Sequence, residues 1–209
     1  MSSTLAQMRT RIQDDLLDTY VTDAQTDKAI NRAIIHYQTK PFWFTQTSDT
    51  FATVADQQSY TTSDGLAADI LKIDYMEYAI GTNLYRLRPT TFIHIQDNTT
   101  SSADNGQPFN FAWGVNKLWL YPIPDSAYTV TYYYRKSYTE LSADGDNNDW
   151  TNNAEDLIEA RATWWLHNRI TKDKDEAQIA KAEEMEALRA LHTKNRMLLP
   201  AQNVVATSF

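Results

Sequence analysis

The sequence predicts an α+β protein whose helices come from both chain ends. Apolar residues recur at helical spacing before residue 43 and again after residue 151, whereas the region between them alternates with the period of two that is typical of strands. We therefore predict a four-helix bundle domain formed by 1–43 and 151–195. A β-rich antiparallel insertion domain is predicted at 44–150, and an extended C-terminal arm at 196–209.

Two helices are predicted at the N-terminus. Thr22 and Gln25 have the spacing of a capping box, in which each residue satisfies a backbone N–H of the other. The second helix therefore starts after Thr22 and must stop before Pro41, because the residue before a proline avoids helical backbone angles. The first helix should end near Asp18, and it is predicted by four apolar residues at three- and four-residue steps: Leu5, Met8, Ile12 and Leu16.

Strand and turn signals dominate the insertion. In residues 44–51 and 76–87 the side-chain types follow the period of two that is typical of strands. The second of these ranges contains a turn at Gly81. Residues 89–96 predict a short helical turn. A second hairpin is expected around residues 114–117, between two runs that carry aromatic and aliphatic side chains.

The stretch LYPIPDSAYTVTYYYRK raises the question of whether its tyrosines bind a ligand or fill a sheet. A platform that stacks nucleic-acid bases interleaves Lys and Arg with exposed rings, whereas Arg135 and Lys136 stand alone at the strand end. The pattern therefore favours the core of a sheet. In an extended chain the residues that share one face are Tyr128, Val130, Tyr132 and Tyr134.

Two further helices are predicted after the insertion. Asn153 and Asp156 have the spacing of a helix cap, and a wide apolar surface follows them up to Ile170. The second helix is predicted from Asp173 to Lys194. Its apolar residues recur at steps of three, so the apolar stripe drifts around the helix and predicts different neighbours at the two ends; they are Ile179, Ala182, Met185, Leu188 and Leu191.

The composition of the 209 residues argues against several functions. With 27 acidic and 19 basic residues the net charge is −8, which does not suit a surface that neutralises DNA phosphates or anionic lipid. Cysteine is absent, which excludes disulfides and thiolate chemistry. No segment approaches the ~20 apolar residues of a membrane span or reads as a signal peptide, so a soluble protein of the cytosol is expected.

Sequence signatures of catalysis are missing. The chain contains no nucleophile elbow, no phosphate-binding loop and no dinucleotide fingerprint. We therefore expect no enzymatic activity and no cofactor. The four histidines have no paired spacing and are expected on the surface or on helix flanks; they are His36, His94, His167 and His192.

One acidic stretch resembles a calcium-binding loop. Asp144, Asp146, Asn148 and Glu155 fall at positions 1, 3, 5 and 12 of that template. Position 6 is Asp149, where the sharp turn of such a loop needs glycine. The pattern favours an acidic turn followed by a helix cap, with the calcium site as the alternative.

The order of motifs resembles the head-to-tail adaptor proteins, or head completion proteins, of short-tailed double-stranded DNA phages. The resemblance covers residues 4–195. Its motifs are TLAQMRTRIQDDL, DKAINRAIIHYQ, PFWF, LYRLRP, LWLYPIPD, YTVTYYYR and NDWTNNAEDLIEARATWWL.

This resemblance implies a structural virion protein that assembles in the host cytoplasm and lies at the head–tail junction. It implies a ring of twelve subunits below the portal, which extends the DNA channel and docks a tail nozzle or tail tube. Genome DNA would pass through without specific binding, as the net charge of −8 also suggests.

The end of the chain and the aromatic residues suggest two further interpretations. Residues 196–209 contain apolar side chains without any period and are interrupted by Pro200, so we expect a partner-binding arm that orders on assembly. The alternative function is a carbohydrate- or protein-binding β-module of a phage tail, with Trp113, Trp119 and the tyrosines as sugar platforms. The predicted portal or subunit contacts of the arm are Met197, Leu198, Leu199, Val204, Val205 and Phe209.

Overall fold

The chain is divided into a helical unit and a sheet unit. The computed structural model describes residues 3–16, 20–99 and 105–198. The helical unit comprises Met1–Thr45 and Tyr138–Phe209, and the sheet unit comprises Gln46–Ser137. The predicted α+β class is confirmed, with six α-helices and a seven-stranded sheet among the described residues.

The helices are, in chain order, α1 (Leu5–Leu16), α2 (Asp23–Tyr37), α3 (Phe92–Asn98, in the sheet unit), α4 (Asp149–Asn153), α5 (Glu155–Leu166) and α6 (Lys174–Leu198). Within the helical unit, α5 contacts α1, α2 and α6. A short π-helical turn, His167–Thr171, follows α5. No helix in the described part of the chain has both the length and the apolar character that a membrane crossing requires.

Both predicted N-terminal helices form, and the predicted stripe of α1 is buried. Thr22 and Gln25 form the predicted capping box: the Gln25 N–H donates to the Thr22 hydroxyl, and the Thr22 N–H donates to Gln25 Oε1 at 2.9 Å. The helix α2 ends at Tyr37, before Pro41 as expected. The predicted end of the first helix, Asp18, lies outside the described residues.

Aromatic side chains form the core of the helical unit. Trp150 is fully buried, and its ring lies edge-on to Phe42 and Phe44 with centroid separations of 5.7 and 5.0 Å. Asn148 caps α4 by accepting hydrogen bonds from the backbone N–H groups of Trp150 at 2.9 Å and Thr151 at 3.2 Å. The cap therefore fixes the point at which Trp150 enters the core.

The predicted helix cap at Asn153 is wrong. Asn153 is the last residue of α4, and its side-chain amide donates to the backbone carbonyl of Asp149 at 2.9 Å. Ala154, with φ −141° and ψ 33°, separates α4 from α5, and no side chain caps the start of α5. The apolar spacing did not reveal this break because α4 is only five residues long.

The helix α6 is longer than predicted, since it continues to Leu198 instead of ending at Lys194. Arg196, Met197 and Leu198 have high helix propensity, so they extend an exposed helix without needing an apolar period. The first three residues of the predicted arm are therefore helical, residues 199–209 lie outside the described residues, and the arm 196–209 stays a prediction. Of the predicted stripe Leu191 is buried, whereas Ile179 and Met185 are 53% and 48% exposed, so different neighbours at the two ends of the helix stay a prediction.

The sheet has the strand order β1-β9-β3-β4-β6-β7-β2, and a separate two-stranded sheet pairs β5 with β8. The β4–β6 and β5–β8 pairs are parallel, so the prediction of an antiparallel insertion is wrong for these two pairs. Parallel neighbours need a crossover connection, and α3 lies in the connection between β4 and β6. The strands are β1 (Gln46–Ala52), β2 (Ser59–Tyr60), β3 (Ile70–Ile80), β4 (Asn83–Pro89), β5 (Asn105–Gly106), β6 (Asn110–Gly114), β7 (Lys117–Tyr121), β8 (Ile123–Pro124) and β9 (Thr129–Lys136).

Tyr132 and Tyr134 of β9 fill the core of the sheet unit, as the sequence predicts, whereas Tyr133 faces the other side and is 42% exposed. Tyr132 is fully buried and Tyr134 is 5% exposed. Their hydroxyls stay satisfied, because that of Tyr132 accepts a hydrogen bond from the backbone N–H of Ala67 at 2.9 Å and that of Tyr134 donates to Asp69 at 3.0 Å. Burial is the main cause that raises the pKa of both tyrosines.

Candidate interaction surfaces

A groove on the helical unit, which we call the acidic groove, is lined by carboxylates and small apolar side chains of α5 and α6. Its volume is about 620 Å³. Arg11 pairs with Glu159 in the groove wall at 2.7 Å, and burial raises the pKa of Glu159 against the opposing effect of Arg11. The lining residues are Asp15, Asp156, Glu159, Ala160, Thr163, His167, Glu176, Ile179, Ala180, Glu183, Glu186, Ala187 and Ala190.

The α6 wall of the acidic groove faces solvent. Ile179, Glu183 and Glu186 are spaced i, i+4 and i+7, so they share one side of the helix. All three are exposed, and neither glutamate forms an ion pair within the described part of the chain. This wall therefore combines an exposed apolar side chain with two uncompensated carboxylates.

A buried carboxylate holds α6 against the rest of the helical unit. Glu184 is 2% exposed, accepts a hydrogen bond from the Tyr37 hydroxyl, and lies 2.7 Å from Lys181 Nζ and 3.4 Å from Arg161 Nη1. Burial raises the pKa of Glu184, but the hydrogen bonds from Lys181 and Tyr37 outweigh burial and the pKa is lowered. The ionised carboxylate thus joins α2, α5 and α6.

Three side chains form a row across the solvent-facing side of the sheet unit. Tyr133 of β9 meets Tyr75 of β3 edge-on, with 5.5 Å between ring centroids. The guanidinium of Arg86 on β4 lies 4.4 Å from the centroid of the Tyr75 ring, where the ring quadrupole attracts a cation. Tyr75 also donates a hydrogen bond to Glu77 at 2.6 Å. The row therefore crosses three neighbouring strands.

Leu84 and Arg88 extend this row along β4. They lie on the same face as Arg86, because side chains two residues apart on a strand point the same way. Leu84 is 69% exposed, and Arg88 is exposed with no ion pair among the described residues. We call the resulting surface the basic sheet patch; its members are Tyr75, Leu84, Arg86, Arg88 and Tyr133.

The tryptophans proposed as sugar platforms are partly buried. Trp113 packs against the core of the sheet unit, and Trp119 contacts Phe92 of α3 with 4.9 Å between ring centroids. Phe92 and Phe109 are the more exposed rings of this region, at 45% and 51%. The structure thus places other aromatic residues at the surface than the sequence suggested.

The four residues of the calcium template each have another contact. Asp144 lies 3.0 Å from Arg9 Nη2, and Asp146 accepts backbone hydrogen bonds in its own turn, which lower its pKa. Asn148 caps α4, and Glu155 lies 3.4 Å from a guanidinium of α1. These contacts fit the turn-and-cap interpretation. Among the described residues, no cluster of three His, Asp or Glu side chains is suited to a metal ion.

The histidines do not come together. His36, His94 and His192 are exposed, and His167, which is 8% exposed, lies at the C-terminal flank of α5, so the prediction of surface or helix-flank positions holds for all four. The π-helical turn after α5 places His167 in the lining of the acidic groove, with Nδ1 3.1 Å from the hydroxyl of Thr171.

The predicted contact residues of the C-terminal arm are described only in part. Met197 and Leu198 lie at the end of α6 and are 77% and 49% exposed. Leu199, Val204, Val205 and Phe209 lie outside the described residues. The end of α6 is therefore a third exposed apolar surface of the chain.

Sequence reasoning did not single out Arg86, Arg88 or Glu186. The signal for the first two lay in the motif LYRLRP, where one strand face carries Leu84, Arg86 and Arg88 and the other carries the buried Leu87. The signal for Glu186 was its spacing from Ile179 and Glu183 on one helix face. Neither signal was decisive before the structure showed which faces are covered.

Exposed apolar residues combined with charged ones are typical of surfaces that bind other proteins. The acidic groove, the basic sheet patch and the end of α6 are therefore candidate surfaces for assembly with other proteins. The chain matches the SU10 adaptor protein family over residues 3–206 and belongs to that family. The resemblance to phage head-to-tail adaptors is confirmed, and membership implies a structural component of the virion at the head–tail junction. Comparison with curated proteins gives no match.

Proposed function

We propose that this protein forms a ring of twelve subunits below the portal, extends the DNA channel and docks the tail nozzle or tail tube. Family membership over residues 3–206 carries this proposal. The helical unit serves as a four-helix bundle of α1, α2, α5 and α6, an arrangement supported by the contacts of α5 with the other three helices. The role is structural, without enzymatic activity or cofactor.

A direct test is to remove the protein during phage assembly. Phage made without it should give DNA-containing heads that carry no tails, and adding the purified protein should restore tail attachment. Electron microscopy of restored particles should show a ring of this protein between portal and tail. Normal tailed particles in its absence would contradict the proposal.

The channel function requires that DNA pass without capture. The net charge of −8 repels phosphate, so we expect no duplex binding at physiological salt. Fluorescence anisotropy with labelled duplex DNA should show no binding in the range of about 10⁻⁴ to 10⁻⁶ M that non-specific binders reach. A salt-dependent rise in anisotropy would contradict a passive channel.

The portal contact is assigned to the C-terminal arm together with the exposed end of α6. Deleting residues 199–209 keeps α6 complete, so the melting temperature should not change, while attachment to the portal should be lost. The matched variant Met197→Ser with Leu198→Ser tests the exposed helix end separately, because both side chains are largely solvent-exposed. A truncated protein that still attaches normally would remove the arm from the interface.

A further inference from the structure

The basic sheet patch and the acidic groove carry complementary features on one chain. Arg86 and Arg88 are exposed basic residues beside the apolar Leu84, whereas Glu183 and Glu186 are exposed acidic residues beside Ile179. Arg86 also lies opposite Glu77 of β3 and over the Tyr75 ring, whereas Arg88, Glu183 and Glu186 form no ion pair within the described residues. The basic sheet patch therefore supplies positive charge and the acidic groove supplies negative charge, each beside an exposed apolar side chain.

We infer that the acidic groove of one subunit receives the basic sheet patch of a second copy of this chain. This inference rests on the proposed function, since it names the contact between neighbouring subunits of the ring. Leu84, Arg86 and Arg88 project from one side of β4, and Ile179 with Glu183 and Glu186 forms the α6 wall that meets them.

The overall charge supports this choice of partner. Copies with a net charge of −8 repel each other in most orientations. The two copies attract each other in the orientation that places Arg86 and Arg88 of one copy against the glutamates of the α6 wall of the other. Because only this alignment pairs opposite charges, it also fixes how the two surfaces are aligned. The exposed Leu84 and Ile179, at 69% and 53%, become buried in the same contact.

The contact joins two different surfaces and is therefore heterologous. Heterologous contacts repeat from copy to copy and close into a ring when the rotation permits. A contact between two identical surfaces would stop at a dimer. When subunits are linked covalently, a heterologous contact gives multimers of increasing size, whereas a contact between identical surfaces gives only a dimer.

Cysteine cross-linking in assembled particles tests the contact, and because the chain contains no cysteine, every disulfide between copies of this protein must come from an introduced residue. Particles containing the variant Leu84→Cys with Ile179→Cys are treated with the thiol oxidant diamide. We expect a ladder of covalent multimers, and only monomer from either single variant. The matched control combines Ile179→Cys with Val115→Cys, which is 96% exposed at the turn between β6 and β7, and should give no ladder.

The outcomes separate the inference from the proposed function. A protein that is absent from normal tailed particles contradicts the proposed function itself. A protein that is present in particles but gives no ladder overturns this inference and leaves the function intact. A monomer with an internal cross-link also overturns it, since the groove would then bind the sheet patch of its own chain.

A charge exchange supplies the second test. The sheet variant Arg86→Glu with Arg88→Glu and the helix variant Glu183→Arg with Glu186→Arg should each associate about 100-fold more weakly than the unmodified protein. A mixture of the two variants should regain association, because every contact in an alternating ring is again complementary. Failure of the mixture, with both variants folded by circular dichroism, would overturn the inference.

Discussion

The variant Glu184→Gln tests whether the buried carboxylate holds α6 in place. It keeps the shape of the side chain but removes the charge that faces Lys181 and Arg161, whose side chains are 45% and 18% exposed. Removing one partner of a buried pair costs about 3–5 kcal/mol. Because Lys181 is partly solvated and glutamine can still bond to Tyr37, we expect a loss of about 2–3 kcal/mol in the free energy of unfolding.

Urea unfolding followed by helical circular dichroism measures this loss, with Glu183→Gln as the matched control. Glu183 is the exposed neighbour on the same helix, so its variant should unfold like the unmodified protein. The melting temperature of Glu184→Gln should fall by about 4–12 °C for a chain of this size. Equal urea midpoints for the two variants would refute the reasoning.

The stabilisation that Glu184 contributes to the fold should depend on pH. The pKa of Glu184 is lowered in the folded protein, so its ionised form stabilises the fold at pH values above the unfolded pKa of about 4.3. That contribution disappears as the pH falls through the lower folded pKa. The difference between unmodified protein and Glu184→Gln should therefore be complete at neutral pH and should shrink in acid, and a difference that persists unchanged in acid would contradict this account.

Two further predictions concern the helical core and the acidic turn. Trp150→Ala should lower the free energy of unfolding by about 3–5 kcal/mol, because it leaves a large cavity beside Phe42 and Phe44. Calorimetry measures this loss, and an unchanged melting temperature would contradict the prediction. If the turn around Asp144 is only a turn and cap, neither calcium nor a chelator should change the melting temperature; a rise of several degrees with calcium that is lost in Asp144→Ala would establish the site.

Local patterns predicted local structure. The capping box of Thr22 and Gln25 and the alternation of the β9 tyrosines depend on residues a few positions apart, and both predictions are confirmed. The burial of Glu184 could not be predicted in this way, because its partner Tyr37 lies 147 residues earlier in the chain. Glu184 lies on the buried face of α6, together with Ala177 and Ala180, and not on the stripe that the apolar spacing predicted.

The two surfaces of the candidate site were predictable only in part. The sequence gives the spacing of Ile179, Glu183 and Glu186 on one helix face, and it gives the alternation of Arg86 and Arg88 on one strand face. It does not show which faces other elements cover. The parallel pairing of β4 with β6 was missed for the same reason, since it depends on the path of the chain through α3.

The division of the chain has a consequence for its synthesis. The sheet unit is one continuous segment of the chain, whereas the hydrogen bond between Tyr37 and Glu184 cannot form until α6 has been synthesised. At usual elongation rates that delay is on the order of 10 s. An incomplete chain without α6 lacks Glu184 and the α6 wall, so it cannot form the acidic groove, although it still contains the residues of the basic sheet patch. Under the inferred contact, a chain truncated before α6 offers its sheet patch to one neighbour but has no groove to receive another, so it ends a growing row of subunits.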